Sequence, residues 1–189
     1  MKRRIILATV LVLAALGVAA SQIIGTLQVT LSGYEEVPAV STAASAEFRI
    51  RVLNEQSGPN ITNDGAIQWE LYYQNLEGNI TQAHIHFGQE GVNGGISVWL
   101  CGNPPLTPPP GTQACPPSPG YVRGTIRATE VVGPAAQGIE PGAYNELLRA
   151  MQAGKTYVNV HSTKFLGGEV RAQIVRESND SIVRNGTPQ

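Results

Sequence analysis

The sequence predicts an all-β protein, an antiparallel Greek-key-like β-sandwich of about eight strands with one short helix. Three observations predict it. Short runs alternate apolar and polar residues, clusters of Gly, Asn and Pro separate most of those runs, and helical periodicity appears once. The 189 residues suit one domain. Charged residues make up only 14%, against a typical share of about 25%, which excludes a coiled coil and a highly charged disordered chain.

Alternation with a period of two residues is typical of strands that bury one face. The first run shows it clearly, since Leu27, Val29 and Leu31 alternate with polar neighbours. Many short strands with little helix favour a sandwich or a barrel. The predicted strands are 27–31, 46–52, 67–73, 80–87, 96–100, 122–126, 158–160 and 170–174.

One stretch predicts an amphipathic helix that closes an end of the sandwich. Pro141 suits the first turn of a helix, and Gly154 suits its C-terminal stop. After the last strand, the polar segment 176–189 is expected to be a disordered tail. The apolar face of the helix follows the i, i+3, i+4, i+7 spacing and comprises Tyr144, Leu147, Leu148 and Met151.

The first 21 residues have the layout of a secretory signal peptide. Three basic residues precede an apolar run that ends in small residues, and cleavage is expected after Ala20 or Ser21. The alternative is a membrane anchor, but the run is shorter than the roughly 20 residues of a span. We therefore predict a secreted or extracytoplasmic protein, in the periplasm or at the cell surface, with no membrane contact after cleavage.

The charge of the remaining chain excludes one class of partner. The leader holds three of the 13 basic residues and none of the 14 acidic ones, so its removal leaves a net charge of −4. No Lys/Arg-rich run occurs in the rest of the chain. Nucleic-acid binding therefore has no electrostatic support.

The chain has two cysteines, Cys101 and Cys115, at the ends of a proline-rich segment. Eight of the 13 prolines fall between Pro104 and Pro119, which excludes a helix or an inner strand there. We predict a disulfide between the two cysteines because such bonds persist outside the cytoplasm. The alternative is two unpaired cysteines that lie apart in the fold.

All three histidines of the chain are predicted on the same kind of strand face. Ile85 and its apolar neighbours should face the core, which puts His84 and His86 on the opposite face. In the same way, His161 lies on the outer face of its strand, together with Asn159 and Tyr157. Three imidazoles at one point suit zinc or copper. The alternative is a set of exposed imidazoles without a metal.

The last strand carries two charged residues, Glu169 and Arg171, on its polar face. One interpretation gives them a role in guiding an anion to the metal. The other is a surface ion pair, which we favour.

Three separated motifs resemble the CHRD domain, first described in chordin. The opening LSGYEEVPAVST, the central AHIHFGQEGVNG and the closing YVNVH with GGEVRAQI stand in the family's order. The resemblance spans about residues 27–175. Together with the features above, it gives the expected organisation: a signal peptide at 1–21, a CHRD domain at 22–175 with a disulfide-containing insert at 101–119, and the tail at 176–189. The insert is not part of the family's core pattern.

A second resemblance concerns the histidines. The run His84-Ile85-His86-Phe87-Gly88 is similar to the H-V-H-x-F-G run of copper/zinc superoxide dismutase, in which both histidines bind copper. His161, after a valine near the end, is similar to a late copper ligand of that enzyme. The resemblance implies a superoxide-dismutase-like sandwich with a mononuclear copper site. The bridging histidine and the zinc ligands have no counterpart here, so a two-metal site is excluded.

Three functions follow from these observations. The first is an exported CHRD-domain protein that binds one copper ion, or zinc, through His84, His86 and His161. The second is a non-catalytic extracellular interaction or adhesion module that contacts a protein partner through the proline-rich insert. Imidazoles more than about 8 Å apart would favour this second function, since each ligand nitrogen must lie about 2 Å from the ion. The third, which we favour least, is a copper-dependent oxidoreductase of superoxide dismutase type.

Overall fold

The computed structural model describes residues 22–54 and 65–175. Within these ranges the chain forms eight strands, one α-helix and three short 3-10 turns. The predicted signal peptide and the predicted tail lie outside the described residues. The strands are β1 Gln22–Leu31, β2 Ser45–Asn54, β3 Ala66–Gln74, β4 Ile80–Phe87, β5 Gly95–Gly102, β6 Gly120–Ile126, β7 Thr156–Ser162 and β8 Val170–Gln173.

The strands form two antiparallel sheets of four strands each. Sheet 1 has the order β1-β2-β3-β6, and sheet 2 has the order β5-β4-β7-β8. The chain crosses between the sheets after β3, β5 and β6, so that β6 returns to lie beside β3 in a Greek-key arrangement. The predicted all-β sandwich is confirmed.

The alternation in the sequence is the reason the two sheets stack. On β3, the buried residues alternate with exposed or half-buried ones. On sheet 2, Ile85 of β4 and Val158 of β7 are paired and fully buried. The inner faces therefore form one hydrophobic core, whose largest members include Phe48, Leu71, Tyr73, Ile85, Leu100 and Ile126.

The two sheets meet at one corner. Ser32, just after β1, forms an isolated antiparallel bridge with Arg171 of β8, with hydrogen bonds of 3.0 and 3.1 Å in both directions. The chain then turns through a 3-10 turn at Gly33–Glu35. This turn is placed beside β8, on the outer side of sheet 2.

The α-helix found in the described residues, α1, runs from Tyr144 to Gln152. It starts three residues after Pro141, and Gly154 follows its end with a φ of +65°, a value that favours glycine. Its buried side chains join the core, as the spacing predicts. In residues 22–54 and 65–175, no helix has the length and apolar composition needed to cross a membrane.

The proline-rich insert connects β5 to β6 and is fastened at its base. The sulfur atoms of Cys101 and Cys115 lie 2.07 Å apart, which is disulfide distance. The Asn103 side chain accepts a hydrogen bond from the Cys115 amide and donates to the Cys115 and Ile80 carbonyls. The base of the insert is therefore tied to β4 as well as to its own other end.

Candidate metal centre

The three histidines converge on the outer side of sheet 2. His84 and His86 are two residues apart on β4, and His161 lies on the neighbouring strand β7. In the register, Asn159 pairs with His84 while His161 pairs with Gln82, which puts His161 diagonal to His84. One nitrogen from each imidazole lies within 4.8 Å of the other two. The predicted site residues thus come together.

The histidines lie on the predicted face, but that face is not open to solvent. The exposed fractions of His84, His86 and His161 are 1%, 8% and 6%. Three loop segments lie against this face: residues 88–94 and 163–169, which contact the histidines, and residues 33–40, which contact the 88–94 segment and carry Glu36. These segments bind the site and one another through the Gly94 and Leu166 carbonyls, which contact imidazoles, and the Val37 carbonyl, which accepts a hydrogen bond from Asn93.

Two of the imidazoles have their tautomer set by backbone carbonyls. His86 Nδ1 lies 3.0 Å from the Gly94 carbonyl oxygen, and His161 Nδ1 lies 2.9 Å from that of Leu166. A carbonyl only accepts, so each Nδ1 carries the hydrogen and each neutral ring has a free lone pair on Nε2. A metal-binding histidine commonly has this outer contact. Nε2 of His86 is buried and has no hydrogen-bond partner.

The third imidazole, His84, faces His161. Its Nδ1 lies 3.3 Å from His161 Nε2. Two nitrogens that are each about 2.0–2.1 Å from a tetrahedral ion lie about 3.3 Å apart, so this spacing fits two ligands of one ion. Trp99 of β5 packs edge-on against the His84 ring, with 4.2 Å between centroids, and holds it in the cluster.

Burial keeps the imidazoles in the form that binds metals. It lowers the pKa of His86 to about 4, against the opposing hydrogen bond to Gly94. It also lowers the pKa of His84, which the neighbouring His161 and then His86 lower further. For His161, burial lowers the pKa and the contact with Leu166 opposes it. At neutral pH all three rings are therefore uncharged, and the neutral imidazole is the ligand.

Stacked side chains from β7 and β8 support the site. Tyr157 lies parallel to His86, with an interplanar angle of 1° and 4.7 Å between centroids. The Arg171 guanidinium lies 3.4 Å from the centre of the Tyr157 ring. Arg171 is 1% exposed and donates to the Val92 carbonyl at 2.8 Å and to Asn93 Oδ1 at 3.1 Å. It thereby fastens the 88–94 loop over the histidines.

The expected surface ion pair of Glu169 and Arg171 is wrong. Both residues are fully buried, because the loops cover this end of β8. Glu169 accepts hydrogen bonds from the Thr42 hydroxyl and the Glu77 amide instead. The alternating pattern placed Arg171 on the correct face of β8, but it could not show that loops cover that face.

Two further polar residues belong to the site. Asn159, 3% exposed, has its Oδ1 3.0 Å from His161 Nε2. Glu36 is buried nearby, and burial raises its pKa to about 7, against the opposing effects of Arg171, of a hydrogen bond to Asn159 and of the Val37 amide. The sequence placed Asn159 on this face without a role. Glu36 was missed, although it lies within the opening EVP motif, and its loop has no periodicity that would place it.

Comparison with known proteins gives one match. The family model described as CHRD domain matches residues 27–174. The matched range includes all three histidines, both cysteines and the residues that surround the cluster. No curated protein and no solved structure matches the chain.

Proposed function

The chain belongs to the CHRD domain family, and we propose that it is an exported protein that binds a single metal ion through His84, His86 and His161. One observation carries this proposal. Nitrogens of three neutral, buried imidazoles lie within 4.8 Å of one another, well inside the 8 Å limit set above. The unpartnered Nε2 of His86 supports it, since a buried nitrogen without a partner is costly unless something binds it.

We propose copper as the ion, with zinc as the alternative. Imidazole suits both metals, and copper(II) has the higher affinity for a given set of nitrogen and oxygen ligands. The H-x-H-F-G run and the late V-H of this chain are similar to copper-binding motifs of copper/zinc superoxide dismutase, which favours copper. Affinity alone does not decide which ion is loaded in the cell.

Export is part of the proposal. Residues 1–21 have a basic start, an apolar run and a small-residue end, which is the layout that export requires. Cys101 and Cys115 at disulfide distance support an oxidising compartment such as the periplasm or the cell surface.

The test is the amount of metal bound by the purified exported protein. We expect one copper or zinc ion per chain by elemental analysis, and calorimetry should give a single site. Outer-contact mutations of metal sites cost about 10–100-fold in affinity, so loss of a ligand in His86→Ala should cost more than about 100-fold. Arg49→Ala, on the outer face of sheet 1, is the control. Equal affinity of the His86→Ala and Arg49→Ala proteins would contradict the proposal.

A second candidate function is an extracellular interaction module. The proline-rich insert favours it, because Pro104, Pro105 and Pro110 are exposed while the base of the insert is fastened by Asn103 and by the cysteine pair. A stiff exposed loop loses little entropy on binding. A variant in which residues 104–113 become a Gly/Ser segment of equal length tests it. A protein partner retained by the triple His→Ala variant and lost by the loop variant would favour this function.

A further inference from the structure

We propose that Asn159 Oδ1 is the fourth ligand of the ion, so that the site is a closed set of three nitrogens and one oxygen. The inference rests on the proposed metal-binding function and deepens it. It replaces the open fourth position that three histidines alone would leave.

The strand register places the four side chains next to one another on one face of β4 and β7. Asn159 and His161 are two residues apart on β7 and point to the same side, as His84 and His86 do on β4. Asn159 is the direct partner of His84 across the two strands. Its Oδ1 is 3.0 Å from His161 Nε2, and His84 Nδ1 is 3.3 Å from the same nitrogen. Both spacings are close to the roughly 3.3 Å between neighbouring ligands of a tetrahedral ion.

The contact between Asn159 Oδ1 and His161 Nε2 brings two lone pairs together. His161 donates from Nδ1 to Leu166, so its neutral ring presents a lone pair at Nε2. Asn159 Oδ1 also presents only lone pairs, and the two atoms are 3.0 Å apart. A hydrogen on His84 Nδ1 could be donated to His161 Nε2, but this would leave Asn159 Oδ1 without a donor. A cation bound to both atoms removes the repulsion.

In the structure, the Asn159 amide presents Oδ1, and not its NH₂ group, to His161 Nε2. A second buried atom, the unpartnered Nε2 of His86, independently marks the same cluster as a ligand site.

A closed site with an oxygen donor has two chemical consequences. The ion has no position free for a small oxidant, so turnover of the superoxide dismutase type is not expected. An amide oxygen is a hard donor, which suits a divalent ion such as zinc or copper(II) better than copper(I), whose preferred ligands are thiolates and thioethers. The site therefore fits stable retention of a divalent ion.

The experiment uses cobalt(II) as the probe, bound to the exported protein, because its visible spectrum reports coordination number. The wild type should give an intense four-coordinate spectrum that azide does not change. In Asn159→Leu, which has a similar size and no donor, we expect cobalt binding weaker by more than about 100-fold, as for the loss of a histidine ligand, and a spectrum that azide shifts. Asn159→Asp keeps an oxygen donor and should resemble the wild type.

Two results would overturn the fourth ligand alone. One is azide binding to the wild-type cobalt protein, which requires no variant to fold. The other is a folded Asn159→Leu protein with unchanged cobalt affinity and spectrum. If the wild type binds no cobalt, copper or zinc, the proposed metal site itself is overturned together with its fourth ligand.

Discussion

The two sheets bury similar inner faces, but their outer faces differ. On sheet 1, Arg49 contacts Glu70 at 3.7 Å with about 40% of each side chain exposed, and it also binds Gln28. On sheet 2, the outer face carries the three histidines, Asn159 and Arg171, all of which are buried. Both faces read as the polar half of an alternating pattern in the sequence.

The polar groups of the two faces are satisfied in different ways. Water satisfies the polar groups of sheet 1, so their identities matter little to stability. The polar groups of sheet 2 must find partners in the protein, and most of them do, as Arg171 does in the 88–94 loop. Nε2 of His86, which has no partner in the protein, is therefore an atom that an ion would satisfy.

The largest expected effect is a difference in stability between substitutions of two arginines, one on each outer face. Arg171→Met removes the cation above the Tyr157 ring and leaves Asn93 Oδ1 and the Val92 carbonyl without the donor that Arg171 provides. We therefore expect the free energy of unfolding to fall by about 3–5 kcal/mol. Arg49→Met should change it by less than about 0.5 kcal/mol. Urea unfolding of both variants measures this. Equal losses would show that the covered face is no more constrained than the open one.

Two glutamates, one buried beside the covered face of sheet 2 and one on the open face of sheet 1, should differ in their effect on how stability depends on pH. The pKa of Glu36 rises from 4.5 to about 7 on folding, although Arg171 opposes the rise, so the folded state holds this proton longer. Its contribution to the unfolding free energy therefore falls as the pH rises from about 4.5 to about 7, by at most about 3 kcal/mol. The three histidines contribute the opposite slope, because burial lowers their pKa values.

Substituting Glu36 separates its contribution to the pH dependence from that of the three histidines. Glu36→Gln removes the carboxyl, so the unfolding free energy of this variant minus that of the wild type should increase between pH 4.5 and 7. Glu70→Gln, on the open face, should keep the wild-type profile because Glu36 is intact. Chelator-treated protein is unfolded in urea across this pH range. If the difference in unfolding free energy between Glu36→Gln and the wild type stays constant across this pH range, the raised pKa of Glu36 is contradicted.

The smallest expected effect is a difference in stability between substitutions of Tyr157 and Tyr72. The Tyr157 hydroxyl accepts a hydrogen bond from the Gly94 amide at 3.1 Å, whereas the Tyr72 hydroxyl donates to Gln74 on the exposed face. Tyr157→Phe should cost about 1 kcal/mol, because it leaves the amide without its partner. Tyr72→Phe should stay within about 0.5 kcal/mol of the wild type. Thermal unfolding of both proteins gives the comparison, and a larger loss for Tyr72→Phe would reverse it.

The strands and the shared face of the histidines could be predicted from the sequence because alternation is a local property. The period around Ile85 places His84 and His86 on one side of β4 whatever covers them. The cover could not be predicted, because the three loop segments have no periodicity and are held by backbone carbonyls such as those of Gly94 and Leu166. The burial of Arg171 and the position of Glu36 depend on those loops.

A single ion held by His84, His86 and His161 can be located directly. Crystals of the exported protein, purified from its native compartment, should be measured by anomalous diffraction at the copper and zinc absorption edges. We predict one anomalous peak per chain, bounded by His84 Nδ1, His86 Nε2 and His161 Nε2. Ordered imidazoles with no peak between them, or a metal peak at other residues, would contradict it.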